Sequence, residues 1–561
     1  MEKYSCDFET STWLEDKSYV WSWAICSIDN NYNIKYGNNI NSFFDYIFQF
    51  KASVKLYFHN LKFDGSFILN WLLNNGFEWI ADKKEKGINK FTTLISDNGL
   101  WYNITIFIPL KNKLIQIEII DSLKIIPFSV KDIAKAFNLP ILKGEIDYNL
   151  KRSENHIMTE DEKEYIKNDV EIVARALNVL FSQGMQGMTT AKNALDFYKN
   201  TIDKKRYSKL FPELTFEVDS YIRQSYKGGF TYLNPKYSEK IIKDGIVLDV
   251  NSLYPSRMYN EVLPVGEPMY FTGKYVKNKS YPLYVQTIEC IFEIKEGYIP
   301  TIQIKNNRYR FQENEYLTSS RGEIVNLTLT NVDLELFLEH YEVIDINYID
   351  GFMFRGVKGI FCRYIDYWTE QKIKAKKEGN GGMYTLSKLM LNSLYGKFGK
   401  NPQMASKIPY LKDNILHFKN TEIEIKDSLY IPIATFITAY ARNLTIRSAQ
   451  KVKDRFIYAD TDSLHLEGLE VPKNLQIDDY KLGAWKHEST FKKAKFIRQK
   501  CYIELETDDN LKVTIAGMPS ECKKYVNFDN FKIGSVFNGK LVPKQVKGGV
   551  NLVETTFKIK G

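Results

Sequence analysis

The chain has 561 residues, more than a single hydrophobic core usually supports, so we expect two or more domains. Its hydrophobic content of 44% and charged content of 26% are typical of a globular protein and exclude a largely disordered chain. A net charge of +9 with 37 Tyr and 35 Phe favours a nucleic-acid binder, although an ordinary basic enzyme has the same balance.

The cysteines and apolar segments indicate the cellular setting. The six cysteines are scattered without a Cys-x-x-Cys pair, which argues against a zinc knuckle and a disulfide framework. Met1–Glu9 carries acidic residues where a signal peptide needs an apolar core. The apolar stretch Ser428–Ala441 contains Pro432 and is too short to cross a bilayer. We expect a soluble intracellular protein without a membrane partner.

The first acidic pattern is in Tyr4–Thr10, a short strand-like run. Asp7 and Glu9 are two residues apart and therefore share one face of a strand. Two further acids stand at a distance along the chain, Asp64 and Asp169.

Asp169 lies on a predicted helix. Thr159–Glu162 has the pattern of a capping box, which predicts where this helix begins. Tyr165 and Asp169 are four residues apart, so they share a face. Apolar residues then recur at helical spacing at Val170, Val173, Ala176, Leu177 and Leu180.

These four acids come from three separated segments. Asp7, Glu9, Asp64 and Asp169 can converge on two metal ions roughly 3.5–4 Å apart, the arrangement used for phosphodiester cleavage. Tyr165 is then placed to orient the attacking water. Each segment alone is more typical of a structural strand end or helix face, but the ordered set favours a hydrolytic site.

A second acidic site is predicted in the C-terminal half. Ile246–Val250 is a β-branched run that predicts a buried strand, with Asp249 at its end and a turn at Pro255. Tyr254 could lie under the sugar of an incoming nucleotide, or it could be a core tyrosine.

A helix is predicted around Ser387–Phe398. Lys388, Asn392 and Tyr395 share one face and offer an ammonium, an amide and a ring, although an amphipathic helix with a stray lysine has the same pattern. Gly396 would let a template backbone approach closely. The opposite, core-facing side carries Leu391, Leu394 and Phe398. A preceding basic helix carries Lys372, Lys374, Lys376 and Lys377, which could hold a triphosphate or form a solvated face.

Asp460 and Asp462 lie in a strand or tight hairpin, Phe456–Leu466. Two carboxylates two residues apart raise each other's pKa unless a cation neutralises them, and Mg²⁺ is the natural choice. A lone Asp-x-Asp is also typical of a solvated turn. If Asp249 faces Asp462 across a sheet, the site can carry out nucleotidyl transfer with two metal ions.

The ordered motifs resemble those of family B DNA polymerases. Asp7-x-Glu9, Asn60-x-x-x-Asp64 and Tyr165-x-x-x-Asp169 are similar to the three motifs of proofreading 3′–5′ exonucleases. Asp249–Pro255, Lys388–Gly396 and Tyr458–Ser463 resemble polymerase motifs A, B and C, Lys500–Tyr502 the Lys-x-Tyr primer motif, and Tyr226–Gly229 the Tyr-x-Gly-Gly motif. The resemblance runs end to end and is greatest to the protein-primed replicases of small Bacillus podophages, within the type B organellar and viral polymerases.

The resemblance implies an α/β and α+β multidomain fold. A ribonuclease-H-like exonuclease domain is followed by a right hand of palm, fingers and thumb with two inserts specific to protein priming. The implied boundaries are 1–189 for the exonuclease domain, 190–260 and 431–516 for the palm, 261–358 for insert 1 (terminal-protein region 1), 359–398 for the fingers, 399–430 for insert 2 (terminal-protein region 2) and 517–561 for the thumb.

The resemblance also implies roles for individual residues. The metal ligands would be Asp7, Glu9, Asp64 and Asp169 in one site and Asp249, Val250, Asp460 and Asp462 in the other, with two Mg²⁺ ions per site and Mn²⁺ possible. Lys143 would steady charge on the scissile phosphate. The nucleotide contacts would be Val250, Tyr254, Lys372, Lys388, Asn392 and Tyr395. The DNA contacts would be Thr10, His59, Asn60, Phe63, Ser122, Leu123, Tyr226, Gly228, Gly229, Gly396, Lys397, Arg498, Lys500 and Tyr502.

The implied function is replication of a linear viral genome in the cytoplasm of an infected bacterium. Synthesis would be protein-primed, strand-displacing and processive, with proofreading by a 3′–5′ exonuclease. The implied partners are primer-template and single-stranded DNA, dNTPs and a terminal protein, and the enzyme is expected to be a monomer. Two departures limit the transfer, because Tyr384 stands where the family has a lysine and the segment 503–516 is shorter than in relatives.

Three alternatives remain open at this point. A nuclease whose C-terminal half only binds DNA would not need the acids Asp249, Asp460 and Asp462. A noncatalytic architectural binder would leave both acidic sets unexplained. The third alternative is a family B polymerase that extends ordinary primers without a terminal protein.

Overall fold

The computed structural model describes residues 1–29, 31–111, 113–148, 150–303 and 316–560. A mixed sheet dominates the N-terminal part, in the order β3-β2-β1-β4-β8-β7-β6-β5. Its strands are β1 (Glu2–Thr10), β2 (Val20–Ser27), β3 (Ile34–Gly37), β4 (Val54–Phe58), β5 (Glu78–Trp79), β6 (Lys90–Ile95), β7 (Trp101–Leu110) and β8 (Lys113–Asp121). The helices that follow or interrupt it are α1 (Ile40–Ile47), α2 (Leu61–Asn74), α3 (Val130–Ala136) and α4 (Glu160–Ser182).

Strand β1 shows why this sheet positions acidic groups. It pairs with β4 in parallel and with β2 in antiparallel register, so it lies inside the sheet. Cys6 and Phe8 point into the core that includes Phe43 of α1. Asp7 and Glu9 alternate with them and face α4, which packs on β1 and β2.

Helix α4 begins where the sequence predicted. The Thr159 side chain accepts from the Glu162 N–H, and the Glu162 side chain accepts from the Thr159 N–H, so the predicted capping box is confirmed. Arg152 and His156 also bind the Glu162 carboxylate, at 2.5 Å and 2.7 Å. The start of α4 is therefore fixed, which fixes the positions of Tyr165 and Asp169 along its axis.

The described middle of the chain contains one four-stranded sheet, three two-stranded sheets and two long helices. The elements up to residue 358 are α5 (Thr190–Thr201), α6 (Lys204–Leu210), α7 (Phe216–Arg223), β9 (Thr231–Leu233), β10 (Ile241–Val250), α8 (Leu253–Asn260), β11 (Val262–Thr272), β12 (Leu283–Ile294), β13 (Ile302–Gln303), β14 (Tyr316–Leu317), β15 (Val325–Thr330), α9 (Asn331–His340) and β16 (Tyr341–Lys358). Next come α10 (Cys362–Lys377), α11 (Gly381–Phe398), β17 (Gln403–Met404), β18 (Lys407–Lys412), β19 (Ile415–Asn420) and β20 (Glu424–Ile425).

The last elements complete a second large sheet. They are α12 (Ile431–Lys451), β21 (Phe456–Asp460), β22 (Ser463–Glu467), β23 (Trp485–Arg498), β24 (Cys501–Glu506), β25 (Leu511–Ile515), α13 (Ser520–Lys523), β26 (Val536–Val546) and β27 (Gly549–Lys558). This sheet has the order β25-β24-β23-β10-β22-β21-β9, so strands far apart in sequence meet around β10. Three short 3₁₀ helices cover Lys83–Glu85, Ser122–Lys124 and Pro235–Tyr237.

The segment predicted as an insert at 261–358 contains a sheet of its own, β11-β16-β12-β15, with α9 packed on it. Residues 304–315 of this segment lie outside the described residues. Helix α9 begins after Thr330, whose side chain accepts from the Asp333 N–H.

The predicted turn at Pro255 is wrong in position. The chain turns at Ser252, whose φ is 54°, and Pro255 lies inside α8. Proline is tolerated there because the first helical turn needs no backbone N–H partner within the helix. Among the described residues, no helix combines the length and the apolar character needed to cross a bilayer.

Candidate active sites

Three carboxylates meet beside β1. One oxygen from each of Asp7, Glu9 and Asp169 lies within 4.8 Å of the other two. Asp64, on the first turn of α2, lies outside this group. Its charge adds to the electrostatic repulsion, because it interacts with the charges of Asp7 and Glu9. We call the four residues the N-terminal acidic cluster.

Burial and mutual repulsion make this cluster unfavourable without a cation. Burial, followed by the nearby charge of Asp169, raises the pKa of Asp7 to about 7. Burial and the neighbouring carboxylates also hold the pKa values of Glu9 and Asp64 well above their ordinary range. Buried oxygen donors of this kind fit Mg²⁺ or Mn²⁺, which would neutralise them.

Lys143 and Tyr165 lie directly beside the cluster. Lys143 forms an ion pair with Asp169 Oδ2, and its Nζ lies 5.1 Å from the centre of the Tyr165 ring. Asp169 Oδ1 is buried and has no hydrogen-bond partner among the described residues, which leaves it available to a metal ion. The Tyr165 hydroxyl is 2.8 Å from the hydroxyl of Tyr148.

Tyr148 was not predicted from the sequence. It lies in the segment between α3 and α4 and is 51% exposed, but partial desolvation of its hydroxyl and the nearby Glu9 raise the pKa of that group. Nothing in its sequence neighbourhood marks it, because its role depends on a contact with a helix that starts twelve residues later. Together Tyr148 and Tyr165 fix two hydroxyl groups at the edge of the cluster.

A buried acid organises the predicted single-strand residues. Asp121, at the end of β8, is 1% exposed, and its Oδ1 accepts from the N–H groups of Asn60, Leu61 and Leu123 at 3.0–3.3 Å. Asn60 has a φ of 74°, and this clamp stabilises that turn. The sequence prediction missed Asp121 because β8 reads as an ordinary buried strand.

The remaining predicted single-strand residues differ in accessibility. His59 Nδ1 is 3.0 Å from the Ser122 hydroxyl, which is buried and donates to the Phe58 carbonyl, so both side chains stabilise the turn. Thr10 is buried at the end of β1, whereas Phe63 is half-buried at the start of α2.

The second acidic site is built on β10 and β22. Asp249 pairs with Ser463 across these strands, and the Val250 N–H donates to the Asp462 carbonyl at 2.8 Å. Burial, followed by the charge of Asp462, raises the pKa of Asp249 to about 7. Since the Val250 side chain is apolar, only its main chain could serve as a ligand here.

Asp460 and Asp462 flank a tight turn between β21 and β22. Thr461, between them, has a φ of 65°, so the hairpin alternative is the correct one. Asp460 Oδ1 lies 3.2 Å from Lys500 Nζ and accepts from the Thr231 hydroxyl at 3.2 Å. Asp460 is thus held by a cation of the protein, while Asp462 faces Asp249.

The predicted Tyr-x-Gly-Gly segment supports this turn. The Thr461 N–H donates to the Phe230 carbonyl at 2.7 Å, and a Cβ on Gly229 would lie 2.7 Å from the Thr461 side chain. The buried Arg442 of α12 donates to the Gly228 carbonyl at 2.9 Å and pairs with Asp333 of α9 at 2.7 Å. A close approach of backbone to side chain is therefore the reason for glycine at 229.

A cavity of about 970 Å³ opens on one side of Asp249 and Asp462. Within its lining, the Tyr254 and Tyr395 rings stack with centroids 4.0 Å apart. Burial and the charge of Lys388 lower the pKa of Lys372. Its lining includes the predicted nucleotide residues Val250, Tyr254, Lys372, Lys388, Asn392 and Tyr395.

Tyr384 also lines this cavity, and Lys388 Nζ lies 5.6 Å from the centre of its ring. The aromatic face is directed at the ammonium of Lys388, which favours the charged lysine. The residue that departs from the family pattern thus contacts the predicted phosphate-binding lysine.

A second cavity, of about 580 Å³, is lined by the same acids and by Asp460. Lys500 and Tyr502 line it, with Lys500 half exposed and Tyr502 buried against Tyr458 and Phe496. Lys486 and Lys512, which were not predicted, lower the pKa of Asp249 and so oppose part of the increase caused by burial and by Asp462. The two cavities share Asp249, Tyr254, Tyr395 and Asp462.

Four further residues predicted to contact DNA lie away from these two cavities. Gly396 and Lys397 line a separate space of about 1250 Å³ between α5, the N-terminal sheet and the segment 404–406. A Cβ on Gly396 would meet no heavy atom within 4 Å, so the space beside it is open. Tyr226 packs against Gly399, and the guanidinium of Arg498 donates to the Lys560 carbonyl at 3.1 Å.

Comparison with known proteins identifies the family. The family described as DNA polymerase type B, organellar and viral, matches residues 46–160 and 149–479. The DNA polymerase of Bacillus phage M2 is 50% identical over 579 residues, covering 99% of both chains, and that of Bacillus phage phi29 is 49% identical over 580 residues, again covering 99% of both.

The solved structure of phi29 DNA polymerase with primer-template DNA and incoming nucleotide superimposes with a TM-score of 0.94, at 47% identity and 100% coverage of both chains. This match confirms the predicted multidomain fold, an exonuclease domain followed by a polymerase hand with inserts. The chain therefore belongs to the type B DNA polymerases of organelles and viruses, and is a DNA-directed DNA polymerase of the kind its ordered motifs predicted.

Proposed function

We propose that this polymerase replicates a linear viral genome by protein-primed, strand-displacing synthesis with its own proofreading exonuclease. The observation that carries the proposal is the meeting of Asp249 with Asp462 between two open cavities. One cavity is suited to a nucleotide and the other to a primer end, which is the division that template-directed extension requires. The setting would be the cytoplasm of the infected bacterium, since the relatives belong to Bacillus phages.

Asp249 and Asp462, with the Val250 main chain, would hold two Mg²⁺ ions in the polymerase site. Bound divalent ions would lower the pKa of the primer hydroxyl and neutralise charge on the phosphates. Lys500 neutralises Asp460, so we infer that Asp460 tunes the charge of the site through its ion pair and is the weakest ligand of the three.

Different residues of the nucleotide cavity would bind the phosphates and the nucleoside. Lys372 and Lys388 would bind the triphosphate. The pKa of Lys372 is lowered first by burial and then by the charge of Lys388, and a bound phosphate would offset this repulsion. The stacked rings of Tyr254 and Tyr395 form a flat wall on which the sugar and base would rest. Asn392 lies on the same helical face as Tyr395 and Lys388.

On the primer side, Lys500 and Tyr502 would hold the primer end next to Asp460. Tyr502 is rigid because its ring packs on Phe496 at 5.0 Å. Lys397 and Gly396 would face the template, since their cavity is large and open.

The N-terminal acidic cluster would hydrolyse the 3′ end of a frayed strand with two further ions. Lys143 would steady the scissile phosphate, and Tyr165, fixed by Tyr148, would orient the attacking water. Phe63 offers the ring for stacking on an unpaired base.

Replacing the acids of one site at a time tests the proposal. Asp7→Ala with Glu9→Ala should abolish degradation of single strands and leave extension on a primed template. Asp462→Ala should do the reverse. If either variant loses both activities while remaining folded, the assignment of separate sites is wrong.

A terminal protein as primer is the part of the proposal that separates it from ordinary primer extension. The wild-type enzyme should attach labelled dAMP covalently to a candidate terminal protein, and Asp462→Ala should not. Extension of DNA primers without any such adduct would favour a type B polymerase that needs no terminal protein.

A further inference from the structure

A basic cavity lies outside both acidic sites. It has a volume of about 770 Å³ and is bounded by α6 on one side and by β11, β16 and the loop 273–282 on the other. None of its described lining residues lines the cavities around Asp249 or the space beside Gly396.

The charge of this cavity is of one sign. Its charged lining residues are Arg206, Lys209 and Arg355, without an acidic side chain among the described lining. Within the described part of the chain, none of the three forms an ion pair with a carboxylate. The guanidinium of Arg355 lies 5.7 Å from the centre of the Tyr281 ring, so its position is fixed while its N–H groups remain available.

The loop that carries Tyr281 is held in place by internal contacts. The Tyr275 hydroxyl donates to the Tyr281 carbonyl at 2.7 Å and accepts from the Asn278 N–H at 3.0 Å. The Tyr275 ring stacks on Tyr284 with centroids 3.9 Å apart. Two exposed lysines in the same loop, Lys277 and Lys279, add positive charge to this rim.

The lining has the chemistry of a nucleic-acid strand site. Arginine binds phosphate through paired N–H donors, and an aromatic ring beside it can stack on an unpaired base. The apolar floor of Leu210, Val265 and Val357 suits a base better than water. A base inside a duplex could not reach this floor, so the arrangement favours a single strand. The volume lies within the ~300–1,000 Å³ typical of ligand pockets.

The position of the cavity indicates which strand would reach it. Helix α5 lines the space beside Gly396 and Lys397, where the template is proposed to pass, and α6 follows after a short link. A strand parted from the template there would leave next to α6. We propose that this cavity binds the phosphodiester backbone and a base of the single DNA strand displaced during synthesis, an inference that rests on the proposed strand-displacing function.

A cross-linking experiment tests the position. The full-length enzyme is stalled on a primed template with a downstream duplex whose non-template strand carries 5-iodouracil in its first displaced nucleotides. After irradiation, the cross-linked peptide is mapped by mass spectrometry. The cross-link is expected in 273–282, centred on Tyr281, and the same label in the template strand should not give it. Cross-links elsewhere only would overturn the proposal.

A kinetic experiment tests the contribution of the charges. Arg206→Glu with Arg355→Glu should slow extension through duplex several-fold but leave extension on a primed single strand unchanged. The milder pair Arg206→Gln with Arg355→Gln should have a smaller effect in the same direction. The matched control is Lys35→Glu with Lys51→Glu, two exposed lysines of the N-terminal domain. If the cavity binds two phosphates, the plot of log binding constant for the displaced strand against log salt concentration should be less steep in the Gln variant than in the wild type. The expected difference in slope is about 1.4, at ~0.7 per phosphate.

The outcomes separate this inference from the proposed function. A wild-type enzyme that fails to extend any primer would defeat the proposed function itself. Variants that lose both kinds of extension equally would show that the cavity is structural and would overturn the inference. Unchanged displacement with loss of the terminal-protein adduct would mean that the cavity takes an acidic protein, which also overturns it.

Discussion

Replacing Asp7 by Asn should stabilise the metal-free exonuclease domain, by an amount that grows as pH rises from about 4 to about 7. The pKa of Asp7 is about 7 in the folded protein against 3.8 for an ordinary Asp, because burial and Asp169 oppose its ionisation. Between these two pH values the folded chain holds a proton that the unfolded chain has released. The stability of the metal-free protein therefore falls as pH rises through this window.

The size of the effect follows from the same values. At ~1.36 kcal/mol for each pH unit by which the pKa differs, ionising Asp7 costs the folded state roughly 4 kcal/mol, of which roughly 3 is lost between pH 5 and 8. In EDTA, Asp7→Asn should be more stable than the wild type by roughly 4 kcal/mol at pH 8 and by roughly 1.5 kcal/mol at pH 5, and the two should be nearly equal only below pH ~4. Added Mg²⁺ should remove the advantage, because the cation neutralises Asp7 in the wild type.

Hydrogen exchange of peptides from β1 and α4, compared between proteins at each pH, measures this difference locally. Asp45→Asn is the matched control, since Asp45 is exposed on α1 and distant from the cluster. An Asp7→Asn protein that is less stable than the wild type in EDTA at pH 8, or a difference that does not change with pH, would refute the reasoning.

Three further changes have defined outcomes. Gly229→Ala should lower the rate of primer extension at least tenfold with degradation of single strands retained, because its Cβ would displace Thr461 between the two acids; both rates are measured on one preparation. Tyr254→Val should increase incorporation of ribonucleotides relative to dNTPs, since it removes the ring wall beside the sugar, and the ratio of kcat/KM values measures this. Lys143→Met should move the acidic limb of the exonuclease pH profile to higher pH, because Lys143 is the cation that lowers the pKa of Asp169.

The control for Gly229→Ala is Gly87→Ala, whose added methyl would meet only the flexible Lys90 side chain, at 3.2 Å. An equal loss of primer extension in both variants would contradict the steric argument. Unchanged sugar selectivity in Tyr254→Val would remove Tyr254 from discrimination, and an unshifted profile in Lys143→Met would separate Lys143 from the titration of Asp169.

The parts of the fold that were predicted correctly depend on sequence patterns within a single helix or strand. The capping box of α4, the buried strand β10 and the two faces of α11 each depend on residues within about one element of each other. The acidic residues were also identifiable, because their spacing in short motifs resembles that of a known family.

The parts that were missed depend on distant contacts. Asp121 clamps a turn some sixty residues away, and Lys486 and Lys512 reach Asp249 only because β23 and β25 belong to the same sheet as β10. The turn at Ser252 was misplaced because proline is a stronger signal in sequence than a left-handed serine. Periodicity within a segment carries no information about such partners.

Arg442 sets a limit on shortening this enzyme. Its guanidinium is buried and joins Asp333 on α9 to the carbonyl of Gly228, next to the glycine that packs on Thr461. A polymerase shortened by removal of residues 261–358 would lack Asp333 and leave the buried Arg442 guanidinium without its carboxylate. The loss would lower the free energy of unfolding by about 3–5 kcal/mol, next to the hairpin that carries Asp460 and Asp462. Engineering a smaller version would have to exchange Arg442 for a neutral side chain in the same step.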